Sequence, residues 1–293
     1  MEQKIQEFLD FLVDVKKVSD NTVTSYKHDL SRMWEFFSTQ GITGVDKVST
    51  TNINSYILFL EKQGKSPASI SRNVSSMRTY FHYLHNRGEV ATEPTESVKT
   101  PKVEKKRPDI ATTATITKLL KAPQGDSLKS VRDRAMLELL YATGVRVSEM
   151  VNLTVNDVNI QMCYIVCKTT KKDRIVPFGY KAKTALIKYL TEARPSLLHE
   201  ENTYLFVNCF GKPMSRQGFW KIVKEYAKEV GIEDEISPHT FRHSFGAHLV
   251  ENGADIKAVQ EMMGHMDISS TQIYADLSGN KLREVYDRTH PRG

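Results

Sequence analysis

No apolar run in this chain approaches the roughly eighteen residues needed to cross a bilayer. The opening stretch, MEQKIQEFLDFLVDVKK, carries acids through its apolar positions and has no signal-peptide cleavage pattern. A membrane span and a secretory leader are therefore not expected, and the expected location is cytoplasmic. Cysteine is scarce as well. Cys163, Cys167 and Cys209 are odd in number and form neither a CxxC pair nor a cluster with histidine at metal-ligand spacing. That pattern points to reduced, packed thiols rather than to a disulfide framework or a zinc site, and no metal or cofactor is expected. What is present is length and positive charge: 293 residues suffice for two domains, each with its own core, and a formal net charge of +6 suits a polyanionic partner. Many proteins of that charge have no such partner, so the motifs must decide.

The first part reads as four amphipathic helices. Ile5, Phe8, Leu9, Leu12 and Val13 recur at helical spacing. Asp20 can cap a second helix that buries Tyr26, Leu30, Met33, Trp34 and Phe37 before Gly41, and Thr50 or Thr51 a third that carries Ile53, Ile57, Leu58 and Leu60 as far as Gly64. A fourth starts at Ser66 and Pro67 and buries Ile70, Val74, Met77, Tyr80, Phe81 and Leu84. These aromatics read as core. Residues 88–109, with three prolines and the basic residues Lys99, Lys102, Lys105, Lys106 and Arg107, break the helical period and read as a linker. Such a run is either a solvated face or a track for phosphates. Beyond it, helices are expected over 115–121, 130–142, from Val147, and over 180–193, 215–230, 239–252, 255–263, 269–276 and 279–287. Between Val155 and Phe178 the runs VNDVNI, MCYIVC and RIVPF change to a strand pattern and predict a small antiparallel sheet. The fold class is mainly α: a helical domain over 1–87, a linker over 88–109, and a second helical domain over 110–293 with one small sheet.

Several polar residues stand out. Arg146 follows a helix-ending glycine in TGVR, where a rigid junction can aim its guanidinium at a phosphate; it can equally pair with Glu149 across the next helical turn. In PHTFRHSFGAHL, Pro238 fits a first helical turn, and His239 and Arg242 share one face while Phe241, Phe245 and Leu249 line the other. His243 and His248 lack the acidic partners and regular offsets of a metal site. In MMGHMDISSTQIYADL, Gly264 closes a helix, His265 sits in the connection and Tyr274 lies on the next helix. A helical tyrosine taken alone is ordinary core, and its phenol, with a pKa near 10, is a poor nucleophile without help.

The combination is more specific than its members. TGVR, a lysine in a strand turn, HTFRH, GH and then Tyr274, in that order, resemble the tyrosine recombinase (phage integrase) family, and its compact Xer-type members in particular, over nearly the whole chain. The resemblance implies an N-terminal core-binding domain and a C-terminal catalytic domain. It implies clamping roles for Arg146 and Arg242, the two family histidines at His239 and His265, and Tyr274 as nucleophile. The family lysine lies between the second and third strands. The turn CKTTKKDRIVP is one residue longer than usual, so Lys168, Lys171 and Lys172 are candidates, and Lys168, at the end of a strand, is preferred.

In-line attack of a phenolate on a phosphodiester places negative charge on the non-bridging oxygens of a five-coordinate phosphorus, which two guanidiniums and an imidazole can stabilise without a metal. His239 is the candidate base for the phenol; the departing 5′ oxygen needs a proton donor, a role the family resemblance gives to the lysine. A 3′-phosphotyrosine keeps the energy of the broken bond, so rejoining needs no cofactor. The implied partners are double-stranded DNA at a specific site, gripped between the two domains with strong salt sensitivity, and a homo- or hetero-tetramer on two such sites, with a second related recombinase and a septal DNA translocase in some relatives. The C-terminal stripe Leu277, Leu282, Val285 and Tyr286 either docks on a neighbouring protomer or folds back on its own domain. Resolution of chromosome or plasmid dimers is the expected role, since the chain shows no extra amino-terminal arm-binding domain. Integration or excision of a mobile element, a type IB topoisomerase and a catalytically idle DNA-binding protein are the competing readings.

Overall fold

Serine hydroxyls set where the helices of the first part begin. Ser19 caps α2 (Asp20–Thr39), Ser49 caps α3 (Thr50–Lys62) and Ser66 caps α4 (Pro67–Asn86), each by accepting a backbone N–H of the first turn. The caps of α2 and α3 lie just before the expected Asp20 and Thr50 or Thr51, because the serine at that place can stay extended while its oxygen reaches the turn. Asn52 completes a reciprocal pair by accepting the Ser49 N–H at 2.8 Å. With α1 (Glu2–Asp14) these helices enclose a core that includes Phe8, Leu30, Met33, Phe37, Tyr56, Met77, Tyr80 and Phe81. Leu58, expected on the buried stripe, is exposed; Ile53, Tyr56, Ile57 and Leu60 occupy the inner face at helical spacing and leave it on the outer one. Val13 is likewise exposed.

The computed structural model describes residues 2–101, 110–168, 173–232, 236–237, 239–264 and 286–292. The chain divides into two compact units, Met1–Lys106 and Arg107–Gly293. Val90 and Val98, in the stretch read as linker, are buried in the first unit's core. Lys102, Lys105, Lys106 and Arg107, like Lys171, Lys172, His265 and Tyr274, lie outside the described residues, as does the whole helix expected over 269–276.

In the second unit α5 (Thr113–Lys121) leads to α6 (Leu128–Thr143), whose residues from Val131 to Thr143 are nearly all buried, so that it forms the axis of the domain. Its charged pair is satisfied internally: Arg132 donates twice to Asp133, at 2.7 and 2.8 Å, and the Tyr226 hydroxyl donates to the other carboxylate oxygen. After α7 (Val147–Asn152) come β1 (Val158–Asn159), β2 (Tyr164–Cys167) and β3 (Arg174–Pro177), antiparallel in that order, with Cys167 opposite Arg174. The first strand is shorter than expected. Asp157 accepts the Thr154 N–H and hydroxyl at 2.8 and 2.6 Å, which curls Val155–Asp157 into a 3-10 turn. Helix α8 (Tyr180–Lys188) runs through a π turn (Tyr189–Ala193) into α9 (Arg194–Leu197), and α10 (Arg216–Glu229), α11 (Thr240–Glu251) and α12 (Ile256–Met263) follow. Cys163 and Cys167 are packed, whereas Cys209 is exposed, because it lies in the surface turn before Gly211 rather than on a core-facing strand.

Residues 286–292 pack on their own unit. The buried Tyr286 hydroxyl accepts the Gly179 N–H at 3.1 Å, Asn252 donates to the Thr289 carbonyl, His290 stacks on Tyr286, and Arg292 forms an ion pair with Glu138.

Candidate active site

Two helix ends and one helix start meet around Gly144. This glycine closes α6 in the left-handed region, at φ 58°, and a Cβ there would lie 2.2 Å from the Phe245 ring of α11. The turn therefore lets α11 approach α6 and turns the chain into α7, whose N-terminal cap position is Arg146. Glu149 accepts the Arg146 backbone N–H at 2.8 Å and its Nη1 at 3.1 Å. The pairing anticipated as the plain alternative is thus present. It does not remove Arg146 from the surface, because the side chain stays half-exposed and lines a cleft.

Arg242 forms the floor of that cleft. Helix α11 is buried on nearly all sides, so Arg242 does not lie on a polar face as its spacing from His239 suggested; it is itself buried, while His239, just ahead of the first helical residue, is exposed. Its guanidinium donates to the Gly144 carbonyl at 2.7 Å and to the Met263 carbonyl, the C-terminal ends of α6 and α12, where backbone dipoles favour a cation. Burial, and next the charge of Arg146, push its pKa down to about 10, which leaves it protonated at neutral pH. Arg146, His239 and Arg242 line one cleft of about 390 Å³ together with Ser148, Arg216, Gln217 and Trp220.

His248 of α11 serves differently. It is buried and its Nδ1 pairs with the Tyr141 hydroxyl at 2.9 Å, a core role with a pKa lowered by burial. Lys168, just beyond β2, is exposed and bonds Asp157 at 2.6 Å, which raises its pKa and holds it as an ammonium. It is not among the residues lining the arginine cleft. His265 follows directly on Gly264, the left-handed cap of α12; it and Tyr274 fall outside the described residues.

Sequence reasoning missed Arg216 and Trp220 on the α10 wall, and Arg174. A signal existed for Arg216: a cation in the first turn after the Ser215 cap opposes the helix dipole, a poor local choice unless an anion is to be met there. Arg174 is nearly buried and donates to both Glu149 oxygens, at 2.9 and 2.8 Å. Burial works to raise the Glu149 pKa, but the bonds from Arg174 and from the Arg146 backbone more than offset it and hold the carboxylate ionised below its usual range. The described part of the cleft thus gathers cations and one imidazole, and its nearby carboxylate is already occupied. It can receive an oxyanion and stabilise charge growing on it.

Over residues 111–281 the chain matches the Phage integrase family, and over residues 5–88 the phage integrase N-terminal SAM-like domain. It is 44% identical over 296 residues to a tyrosine recombinase XerD of Oceanobacillus iheyensis, covering 100% of this chain and 99% of that one. It is 43% identical to a tyrosine recombinase XerD of Listeria innocua, covering 100% of both. Among solved structures it resembles the XerH site-specific recombinase bound to palindromic difH substrate, with a TM-score of 0.72 at 18% identity over 98% of this chain and 80% of that one, a likeness of fold.

Proposed function

The chain belongs to the phage integrase family and is a tyrosine-type site-specific recombinase of the Xer-like kind, and from that premise we propose that Arg146, His239 and Arg242 receive the scissile phosphate of a DNA strand while Tyr274 attacks it. The observation that carries this reading is the convergence of those three side chains, from α7, the α11 entrance and α11, on one cleft.

The steps balance without an added reagent. The Tyr274 phenol gives its proton to His239 as its oxygen bonds phosphorus in line with the 5′ oxygen, and the P–O5′ bond breaks. The two guanidiniums and the imidazole of His265 take up the charge on the non-bridging oxygens. Lys168, held as an ammonium, leaves Asp157 and protonates the departing oxygen. A 3′-phosphotyrosine and a free 5′ hydroxyl result, and attack by a 5′ hydroxyl of a second duplex reverses the step and exchanges partners. Four protomers, identical or shared with a second related recombinase, act on two double-stranded sites in the cytoplasm, and a septal DNA translocase is a candidate activator. Names of the relatives above support the recombinase role; the pairing and the activator rest on the family resemblance alone.

The test is a nicked suicide duplex bearing the recombination site. Wild-type protein should form a protein–DNA adduct that survives denaturation, and Tyr274→Phe should bind the duplex and form none. An adduct with the Phe variant removes Tyr274 as the nucleophile.

A further inference from the structure

We propose that Arg174 is a positioning residue for cleavage: it occupies Glu149 so that the charge of Arg146 remains available to the phosphate. This rests on the function proposed above.

Arg174 opens β3, across the hairpin from Cys167 and so next to the residue pair that leads into Lys168. Its guanidinium forks onto Glu149, with Nη1 2.9 Å from Oε1 and Nη2 2.8 Å from Oε2, and its Nε donates to the Met262 carbonyl at 3.0 Å. Both Glu149 oxygens are shared, Oε1 with Arg146 Nη1 and Oε2 with the Arg146 N–H. The group of Arg146, Glu149 and Arg174 therefore carries one net positive charge. Without Arg174 the same group is neutral, and the carboxylate, largely out of water, has Arg146 as its remaining ion-pair partner among the described residues. A buried carboxylate stripped of one cation draws the other more tightly. Arg146 would then be pulled down from the cleft wall and its charge cancelled where the phosphate arrives.

The surroundings are shaped to hold this fork. A Cβ on Gly264 would lie 3.0 Å from Arg174 Cζ and Nη1, so glycine at the end of α12 both adopts φ 63° and leaves room for the guanidinium. The last carbonyls of α12 are divided between the two arginines, Met262 to Arg174 and Met263 to Arg242. Arg174 thus joins the hairpin, the α7 start and the end of α12, the element that leads directly to His265. An ordinary structural ion pair would share the bonds but not the consequence for charge at Arg146, and that difference is measurable.

Single-turnover cleavage is compared for wild type, Arg174→Gln and Arg174→Lys on three versions of one suicide duplex. One has the normal phosphodiester. In the second a neutral methyl replaces a non-bridging oxygen of the scissile phosphate, so less cationic stabilisation is needed. In the third the 5′ bridging oxygen is sulfur, which leaves without a proton donor. Arg174→Gln should cut the normal duplex about ten- to a hundredfold more slowly, since it weakens rather than deletes an oxyanion partner. The deficit should shrink about tenfold on the methylphosphonate and persist on the bridging-sulfur duplex. Arg174→Lys keeps the charge without the fork, so it should show the same substrate pattern with a smaller deficit, and it carries the test if the Gln variant does not fold. An equal deficit on all three duplexes, or rescue by bridging sulfur alone, overturns the proposal. Failure of wild type to form any adduct instead overturns the function on which it rests.

Discussion

Replacing Gly144 by alanine strikes the cleft floor twice, and a second glycine separates the two effects. Gly144 and Gly125 both have positive φ, 58° and 78°. A Cβ at Gly125 has nothing within 4 Å, whereas at Gly144 it would stand 2.2, 2.6 and 2.8 Å from three carbons of the Phe245 ring, which is fully buried. Left-handed backbone costs a non-glycine residue about 1–2 kcal/mol, and that is all Gly125→Ala should lose. Gly144→Ala should lose about 1–3 kcal/mol more, because the ring and α11 must move in a packed interior. For a domain of this size each kcal/mol lowers the melting temperature by roughly 2–4 °C, so Gly144→Ala should melt roughly 4–20 °C lower and Gly125→Ala roughly 2–8 °C lower. The Gly144 carbonyl also accepts from Arg242 at 2.7 Å, so the first variant should lose cleavage rate even well below its melting temperature, while the second cleaves normally. Calorimetry of the full chain and single-turnover cleavage read both effects. Melting temperatures of the two variants within about two degrees of each other would show that the ring contact carries no cost and that the packing argument is wrong.

The lysine assignment is tested by Lys168→Ala, Lys171→Ala and Lys172→Ala. The one that supplies the proton should slow cleavage by about a hundredfold or more and recover on a duplex with bridging sulfur, and no recovery in any of them rejects a lysine acid. His290, pushed down to about 3 by burial, favours the neutral ring in the folded state. Its contribution to stability is complete above the unfolded value of 6.5 and is lost as pH falls through the interval toward 3. At pH 5 the loss is about 2 kcal/mol, so the wild-type urea midpoint should fall between pH 7.5 and 5 by more than that of His290→Phe; equal falls refute it.

How far the sequence could be read depended on how local each cause was. The helices of the first unit followed from amphipathic spacing, and even there the caps shifted because Ser19 and Ser49, not Asp20 and Thr50 or Thr51, meet the first turn. Where burial is on all sides the period carries less information. Helix α11 therefore suggested a polar face for Arg242, although that side chain is sealed between the ends of α6 and α12. Arg146 and His239 could be named because each stands at a helix start marked by glycine or proline. Arg174 could not, since its partners Glu149 and Met262 lie 25 and 88 positions away and leave no local mark. Nor could the Val90 and Val98 contacts, which are two apolar residues in a stretch otherwise composed like a linker.

The docked segment 286–292 has a consequence for how the protein is made. His290 lies against Tyr141, 149 positions earlier, and also against Phe245, the ring that packs over Gly144. On the ribosome, α6 emerges long before the residues that cover it. The second unit therefore cannot seal its core during most of its own synthesis, and contacts of such sequence separation are slow to form. Its nascent α6 and α11 surfaces thus stay uncovered at Tyr141 and Phe245 until residue 290 has left the ribosome, the last step in closing this core.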